Sequence, residues 1–347
     1  MSFVGGYAQS HEWNFGDSQW NAASKPSYTT TTTIDGLTIY ATSKKSVSLD
    51  GTGKTIDGVE YQGRFKFAGT GSVTDVDNLA RVLSFDVDGD CSIFVAFAHA
   101  SNKDTRSLIV SSLLNNSVSK IEEISVEASQ AMTTTVNYKG GATKILLYSG
   151  NSGINVYDIK VSSTLTTAKS SFSTYAASYP VDYSSLGLEA YAITLDEANM
   201  KVKYNKIDGV VPANTPVLVK GEASKTYSLT KATTDGTSVA TDLQVSDGTV
   251  VGDGSTIYAF GTKDGVSGFK VVASGVKIPA KKGYLKLSSS ATAKDFFAFG
   301  GETTGISNIS ANGIDEEETP LFNLAGQRVD KSYKGVVVKN GKKFVNK

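Results

Sequence analysis

The punctuation of this chain constrains it most. Short runs rich in Val, Ile, Thr, Tyr and Phe are broken repeatedly by Asp50-Gly51, Asp57-Gly58, Asp88-Gly89-Asp90, Gly140-Gly141 and Asn151-Ser152-Gly153. Such residues take the positive φ of tight hairpin turns, and β-branched and aromatic runs between them suit a pleated surface. No window carries a sustained apolar 3.6-residue period, so helices have little to form from. The chain therefore reads as all-β. At 347 residues it exceeds one small β-domain and implies two domains and a tail.

The first domain is expected over residues 12–163. Strand-like runs recur from Leu37 to Val161, including Arg64–Phe67, Arg81–Val87 and Ser92–Ala98. In Arg81–Val87, Leu83, Phe85 and Val87 share one side and Ser84 and Asp86 the other, as in a half-buried strand. Roughly nine strands at hairpin spacing predict an N-terminal jelly-roll β-sandwich. Residues 164–169 are polar and aperiodic, and are expected to be a linker.

A second, β-sandwich-like domain is expected over 170–301. It carries an internal echo: Val211-Pro212-Ala213-Asn214 and Ile278-Pro279-Ala280-Lys281 lie 67 residues apart, each leading into a strand-like run. Proline there fits an arch or edge entry that needs no amide donor. An acidic linker, 302–319, contains Asp315-Glu316-Glu317-Glu318, and the tail, 320–347, reads as two short β-hairpins with Asn340-Gly341 as one turn. Residues 1–11 resemble the end of a secretory leader, with small residues before a polar start.

Composition excludes several chemistries. Thirty-four basic and 34 acidic residues leave no net field to hold a phosphate backbone, so nucleic acid is not expected as a partner. Two histidines, His11 and His99, offer little for a histidine metal site or a catalytic triad. The one cysteine, Cys91, cannot form an internal disulfide and reads as core filler. No stretch approaches a membrane span. Asp86, Asp88 and Asp90 alternate as in a calcium loop, but Phe97 stands where the bidentate glutamate belongs. A structural calcium ion elsewhere in the sandwich stays open, and no other cofactor is called for. Glu122 and Glu123 point to opposite faces of one strand, so no catalytic pair forms there.

Sugar recognition needs flat aromatic faces and planar polar groups, and Arg matches an acidic sugar's carboxylate with a fork of donors. Arg64 and Lys66 leave one side of their strand while Phe65 and Phe67 leave the other. With Tyr61, Arg81, Arg106, Tyr148, Asn151 and the loop residue Trp20 they form the candidate carbohydrate-binding set. Singly, each is an ordinary strand-face side chain; together they describe a basic, aromatic-edged patch.

Two resemblances attach to quoted residues. Leu324, Gly326, Gln327, Arg328 and Val329, followed by Lys334, Gly335, Asn340, Gly341, Lys342 and Lys343, resemble the C-terminal sorting domain of the Bacteroidetes type IX secretion system. That resemblance implies export, an extracellular or outer-membrane-surface location, and the secretion machinery as a partner. Trp13-Asn14-Phe15, Gly36–Ser43, Arg64–Gly71, Arg81–Val87 and Ser152–Val161 resemble an N-terminal β-sandwich module of Bacteroidetes pectate lyases, pectin esterases and xylanases. It implies carbohydrate binding beside an enzyme. No lyase or hydrolase domain follows it in this chain.

The expected function is thus non-catalytic binding of a pectin- or xylan-type polysaccharide. A lyase or hydrolase with an unrecognised acidic site, and a structural or adhesive surface protein without a glycan ligand, are the alternatives.

Overall fold

The computed structural model describes residues 10–197, 201–288, 295–298, 321–323, 328–329, 334–339 and 342–346. Residues 1–9 of the expected leader 1–11, the acidic linker, and Leu324, Gly326, Gln327, Asn340 and Gly341 of the tail motif lie outside the described residues, while Ser10 and His11 open the first strand. The chain divides into two compact units, Met1–Phe299 and Gly300–Lys347.

The protein is all-β. In chain order the first strands are β1 (Ser10–Asn14), β2 (Ser27–Tyr28), β3 (Thr32–Ile34), β4 (Leu37–Tyr40), β5 (Val47–Asp50), β6 (Lys54–Ile56), β7 (Val59–Tyr61) and β8 (Arg64–Phe67). They are followed by β9 (Val82–Val87), β10 (Cys91–His99), β11 (Arg106–Leu114), β12 (Ser117–Val126), β13 (Ala131–Tyr138), β14 (Thr143–Ser149) and β15 (Ile154–Thr166). A front sheet runs β13-β10-β15-β8-β5-β2, with β1 also on β15; a back sheet runs β12-β11-β14-β9-β4-β3. Strands β8 to β15 alternate between the sheets in jelly-roll order, with β8-β15-β10-β13 facing β9-β14-β11-β12. The inward residues, among them Trp13, Phe65, Phe67, Phe85, Phe97 and Ile159, fill one core. Every strand expected from the alternation between Leu37 and Val161 is present.

Two features depart from the expected layout. First, β15 continues through Thr164–Thr166, where a linker was expected, and its end pairs with β20 (Thr226–Ser228) of the second domain. Leu165 is buried among Tyr175, Tyr179 and Tyr227. Polarity misled here because main-chain partners satisfy this stretch: Thr164 N–H donates to Asp90 O, and the Thr167 hydroxyl to Lys225 O. Second, β6 and β7 form a separate two-stranded sheet. Its Ile56 and Tyr61 cover Ala96, Ala98 and Tyr157 on the outer face of the front sheet.

The second domain contains β16 (Phe172–Tyr175), β17 (Glu189–Asp196), β18 (Lys201–Lys206), β19 (Val217–Lys220), β20 as above, and β21 (Gln244–Val245). It ends with β22 (Ile257–Lys263), β23 (Val266–Val271), β24 (Gly283–Lys286) and β25 (Phe296–Ala298). A four-stranded sheet, β16-β19-β17-β18, packs on a five-stranded sheet, β21-β24-β22-β23-β25. Their shared core holds Ile193, Leu218, Tyr258, Phe269 and Leu285. The internal echo is structural. Val211 bridges Val181 and Lys277 bridges Val251. Asn214 and Lys281 both take positive φ, 58° and 64°, before the strand that follows. The two arches meet at adjacent residues: Asn214 N–H donates to Ala177 O, and Ala176 N–H donates to Lys281 O.

The tail unit is one antiparallel sheet rather than two separate hairpins. It orders β27 (Arg328–Val329), β26 (Leu321–Asn323), β28 (Gly335–Lys339) and β29 (Lys342–Asn346). Among the described residues no helix is long and apolar enough to cross a membrane.

Candidate functional site

The residues singled out in the sequence fall into four places. Tyr61, Arg64 and Lys66 come together on the outer face of the front sheet, because Arg64 and Lys66 leave β8 opposite Phe65 and Phe67. Arg64 and Lys66 are ion-paired there, and Tyr61 is buried. Arg64 is bound by Asp50 in bidentate fashion, Nε to Oδ1 at 2.8 Å and Nη2 to Oδ2 at 3.1 Å. The Lys66 ammonium also reaches Asp50, at 3.2 Å. Tyr61 is buried against the Tyr157 ring, with centroids 6.0 Å apart. Burial alone would raise the Asp50 pKa, but hydrogen bonds from Arg64, Thr52 and Lys66 outweigh it and hold the carboxyl well below the usual carboxylate range.

The other candidates lie elsewhere. Trp20 is in the core beside Phe15, centroids 4.9 Å apart, so it offers no ring to a sugar. Tyr148 is buried on the outer face of the back sheet, its hydroxyl 3.1 Å from that of Ser111. Arg81 is half-buried, with Nε donating to Ser46 O at 3.4 Å. Arg106 and Asn151 belong to one end of the sandwich. There Arg106 donates to Gly153 O, while Asn151 accepts from Ser107 N–H and donates to Thr105 O. The expected set is therefore divided: Trp20, Tyr61 and Tyr148 are buried, Arg64 and Lys66 hold Asp50, and Arg81, Arg106 and Asn151 secure loops and strand ends. Its shared signal, polarity on an alternating strand, does not distinguish a ligand from a main-chain carbonyl.

A concavity of about 950 Å³ lies between the two sandwiches. Turns already visible in the sequence build it. The β9–β10 turn brings Asp88, Gly89 and Asp90; the β13–β14 turn brings Gly140, Gly141 and Ala142; the two arches bring Asn214, Ala280, Lys281 and Lys282. Thr166, Ser178, Ser246 and Thr249 complete the wall with hydroxyl-bearing side chains, and Asp247 adds a third carboxylate, which accepts from Thr249 N–H at 2.8 Å and the Thr249 hydroxyl at 2.7 Å. Ligand pockets commonly span ~300–1,000 Å³.

Two carboxylates of the cleft, Asp88 and Asp90, are paired with lysines. Lys281 Nζ is 2.5 Å from Asp88 Oδ1 and also lies 5.8 Å from the Tyr175 ring centroid. Lys139 Nζ is 3.1 Å from Asp90 Oδ2, which leaves the Gly140 N–H on Oδ1. Asp86, on the face of β9 away from the core, takes Lys144 at 2.9 Å. Each aspartate of the alternating run thus has its own lysine, a reason for the pattern that needs no calcium. Lys282 donates to Ser173 Oγ at 2.8 Å, and burial lowers its pKa. Burial raises that of Tyr175. The cleft presents carboxylate acceptors and ammonium, amide and hydroxyl donors.

No protein family matches the chain, and no curated protein matches it. Solved structures superpose weakly. One is the enzymatically active domain of tailspike protein 4 of bacteriophage CBA120, at 10% identity and TM-score 0.24 over 43% of this chain and 21% of that one. Another is the tandem CBM22-1–CBM22-2 domain pair of Paenibacillus barcinonensis Xyn10C, at 9% identity and TM-score 0.28 over 67% of this chain and 99% of that one. A third is a family 11 carbohydrate-binding module from Clostridium thermocellum with a β-1,3-1,4-mixed-linked tetrasaccharide, at 12% identity and TM-score 0.18 over 47% and 94%. Superpositions of this quality do not assign the chain to any of these proteins.

Proposed function

We propose that this protein binds polysaccharide without cleaving it, and that the cleft between its sandwiches holds the chain. The observation that carries this reading is the cleft's lining: opposed carboxylates and ammoniums, one amide and several hydroxyls on a wall of small residues. A sugar hydroxyl both donates and accepts, so it suits a surface of mixed donors and acceptors. Binding of this kind calls for no cofactor.

The sequence resemblances supply the finer part of the proposal. The glycan would be a pectin- or xylan-type plant polysaccharide, and the chain would act outside the cell after export through a type IX pathway that reads the tail. Affinity electrophoresis on pectin and xylan, with Ala280→Trp as the blocking variant, tests the reading. Ala280 is exposed on the cleft wall, so an indole there fills space without entering a core. Retardation that disappears in Ala280→Trp is the expected result. No retardation on any glycan sinks the proposal, and release of reducing ends or unsaturated products would replace binding by catalysis.

A further inference from the structure

The β6–β7 hairpin has the construction of a movable part. It pairs with neither main sheet, and an isolated two-stranded sheet is marginal in water. Ile56 and Tyr61 are its buried side chains, resting on Ala96, Ala98 and Tyr157. Its tip is tied by Asp57, whose carboxylate accepts from Thr133 N–H at 3.2 Å and Thr133 hydroxyl at 2.6 Å. Its stem is closed by the Asp50–Arg64 pair described above, with Gly51, Gly53 and Gly63 just inside. A Cβ on Gly53 would lie 2.6 Å from Tyr61 O, and one on Gly63 would lie 2.3 Å from Phe15 O. Only glycine permits such approaches, and glycine also swings with the least steric penalty.

Beneath the hairpin is a group that gains nothing from being covered. Strand register sets Asp158 opposite Ala96 on β10 and Asn14 on β1, on the outer face. Its side chain has no exposed surface, and among the described residues neither carboxylate oxygen has a hydrogen-bond partner. Lys160 Nζ, from the same strand, is 3.4 Å away and is shared with Glu12 of β1 at 2.8 Å. Tyr61, from the hairpin, feels the same charge, while β10 contributes only the alanine. Burying a carboxylate whose one ammonium is distant and shared is costly, so the covered state carries a built-in bias toward opening.

We propose that the hairpin is a hinged lid over a second ligand strip, and that a hydroxyl-rich chain occupies the strip when the lid lifts. The strip offers a flat Tyr157 ring, the Asn155 amide and the donor-poor Asp158 carboxylate, over a floor of Ala96 and Ala98. An aromatic face stacks on a pyranose, and sugar hydroxyls supply the donors Asp158 lacks. The ligand's identity rests on the polysaccharide reading; the lid does not.

Hydrogen exchange on the full chain tests the lid alone. Amides of residues 54–61 should show protection at least about 100-fold below those of β10, reporting local opening. Asp158→Asn should raise that protection about tenfold or more at pH 7, by removing the covered charge. Hairpin amides exchanging in step with β10, and indifferent to Asp158→Asn, would overturn the proposal. The strip is tested with Asp57→Cys/Thr133→Cys, which closes the lid when oxidised. Calorimetric titration with xylan and pectin oligosaccharides should lose one class of sites on oxidation and regain it on reduction. Identical titrations in both forms, with cleft binding intact, overturn the strip and leave the polysaccharide reading standing. No saccharide binding in either form overturns that reading and the strip's ligand together, while exchange still decides the lid.

Discussion

Asp50 and Asp158 share one face of one sheet and differ in what surrounds them. Asp50 receives Arg64, Thr52 and Lys66, and its folded-state pKa is depressed. Its contribution is fully present above the ordinary carboxylate range and is lost progressively as pH falls from there through the depressed folded-state value. Asp158 is dominated by burial, which pushes its pKa up to about 6 despite Lys160. A carboxyl raised in the folded state binds more protons folded than unfolded between about pH 4 and 6, so stability falls as pH rises through that window. Asp158→Asn should therefore stabilise the protein at pH 7 by about 1–3 kcal/mol and flatten that fall. Urea midpoints measured from pH 4 to pH 8 check both. Arg64→Ala should cost about 1–3 kcal/mol, by leaving Asp50 short of its main donor, while cleft binding is unchanged. An Arg64→Ala variant that keeps its stability and loses binding would return Arg64 to the ligand. Burial also pushes the Cys91 thiol up to about 12. It should ignore a thiol reagent in the native protein and react at once in denaturant.

At the scale of elements, β15 is the decisive strand. It is central in the front sheet, receives β1 on one flank, and ends as the partner of β20. One strand thus belongs to two cores. Leu165→Ala should cost about 2–4 kcal/mol and lower the melting of both sandwiches together, as read by tryptophan and far-ultraviolet signals in one scan. Two separated transitions would show that the sandwiches are independent. The strands of the leading sandwich were legible because alternation is local: Leu83, Phe85 and Val87 declare their side without help. Arg64 was not, because its partner Asp50 is 14 residues away on β5, and alternation names a face without naming what lies on it. The two proline arches were legible as a repeat, and their meeting at Ala176 and Ala177 was not.

For the whole molecule, the all-β class and the strands of the two sandwiches follow from local patterns of the chain, while the joining of the tail's two hairpins into one sheet does not. Turn dipeptides set where strands reverse, and side-chain alternation sets which face is buried; both act over a few residues, so the sequence alone determined them. The closed face under the hairpin and the cleft between the sandwiches were decided by tertiary structure. Asp88 meets Lys281 across 193 positions of chain. A segment of hydroxyl residues became the inside of a strand because distant carbonyls and amides satisfied it. Pairings of that range depend on how completed sheets stack, and no local preference encodes them.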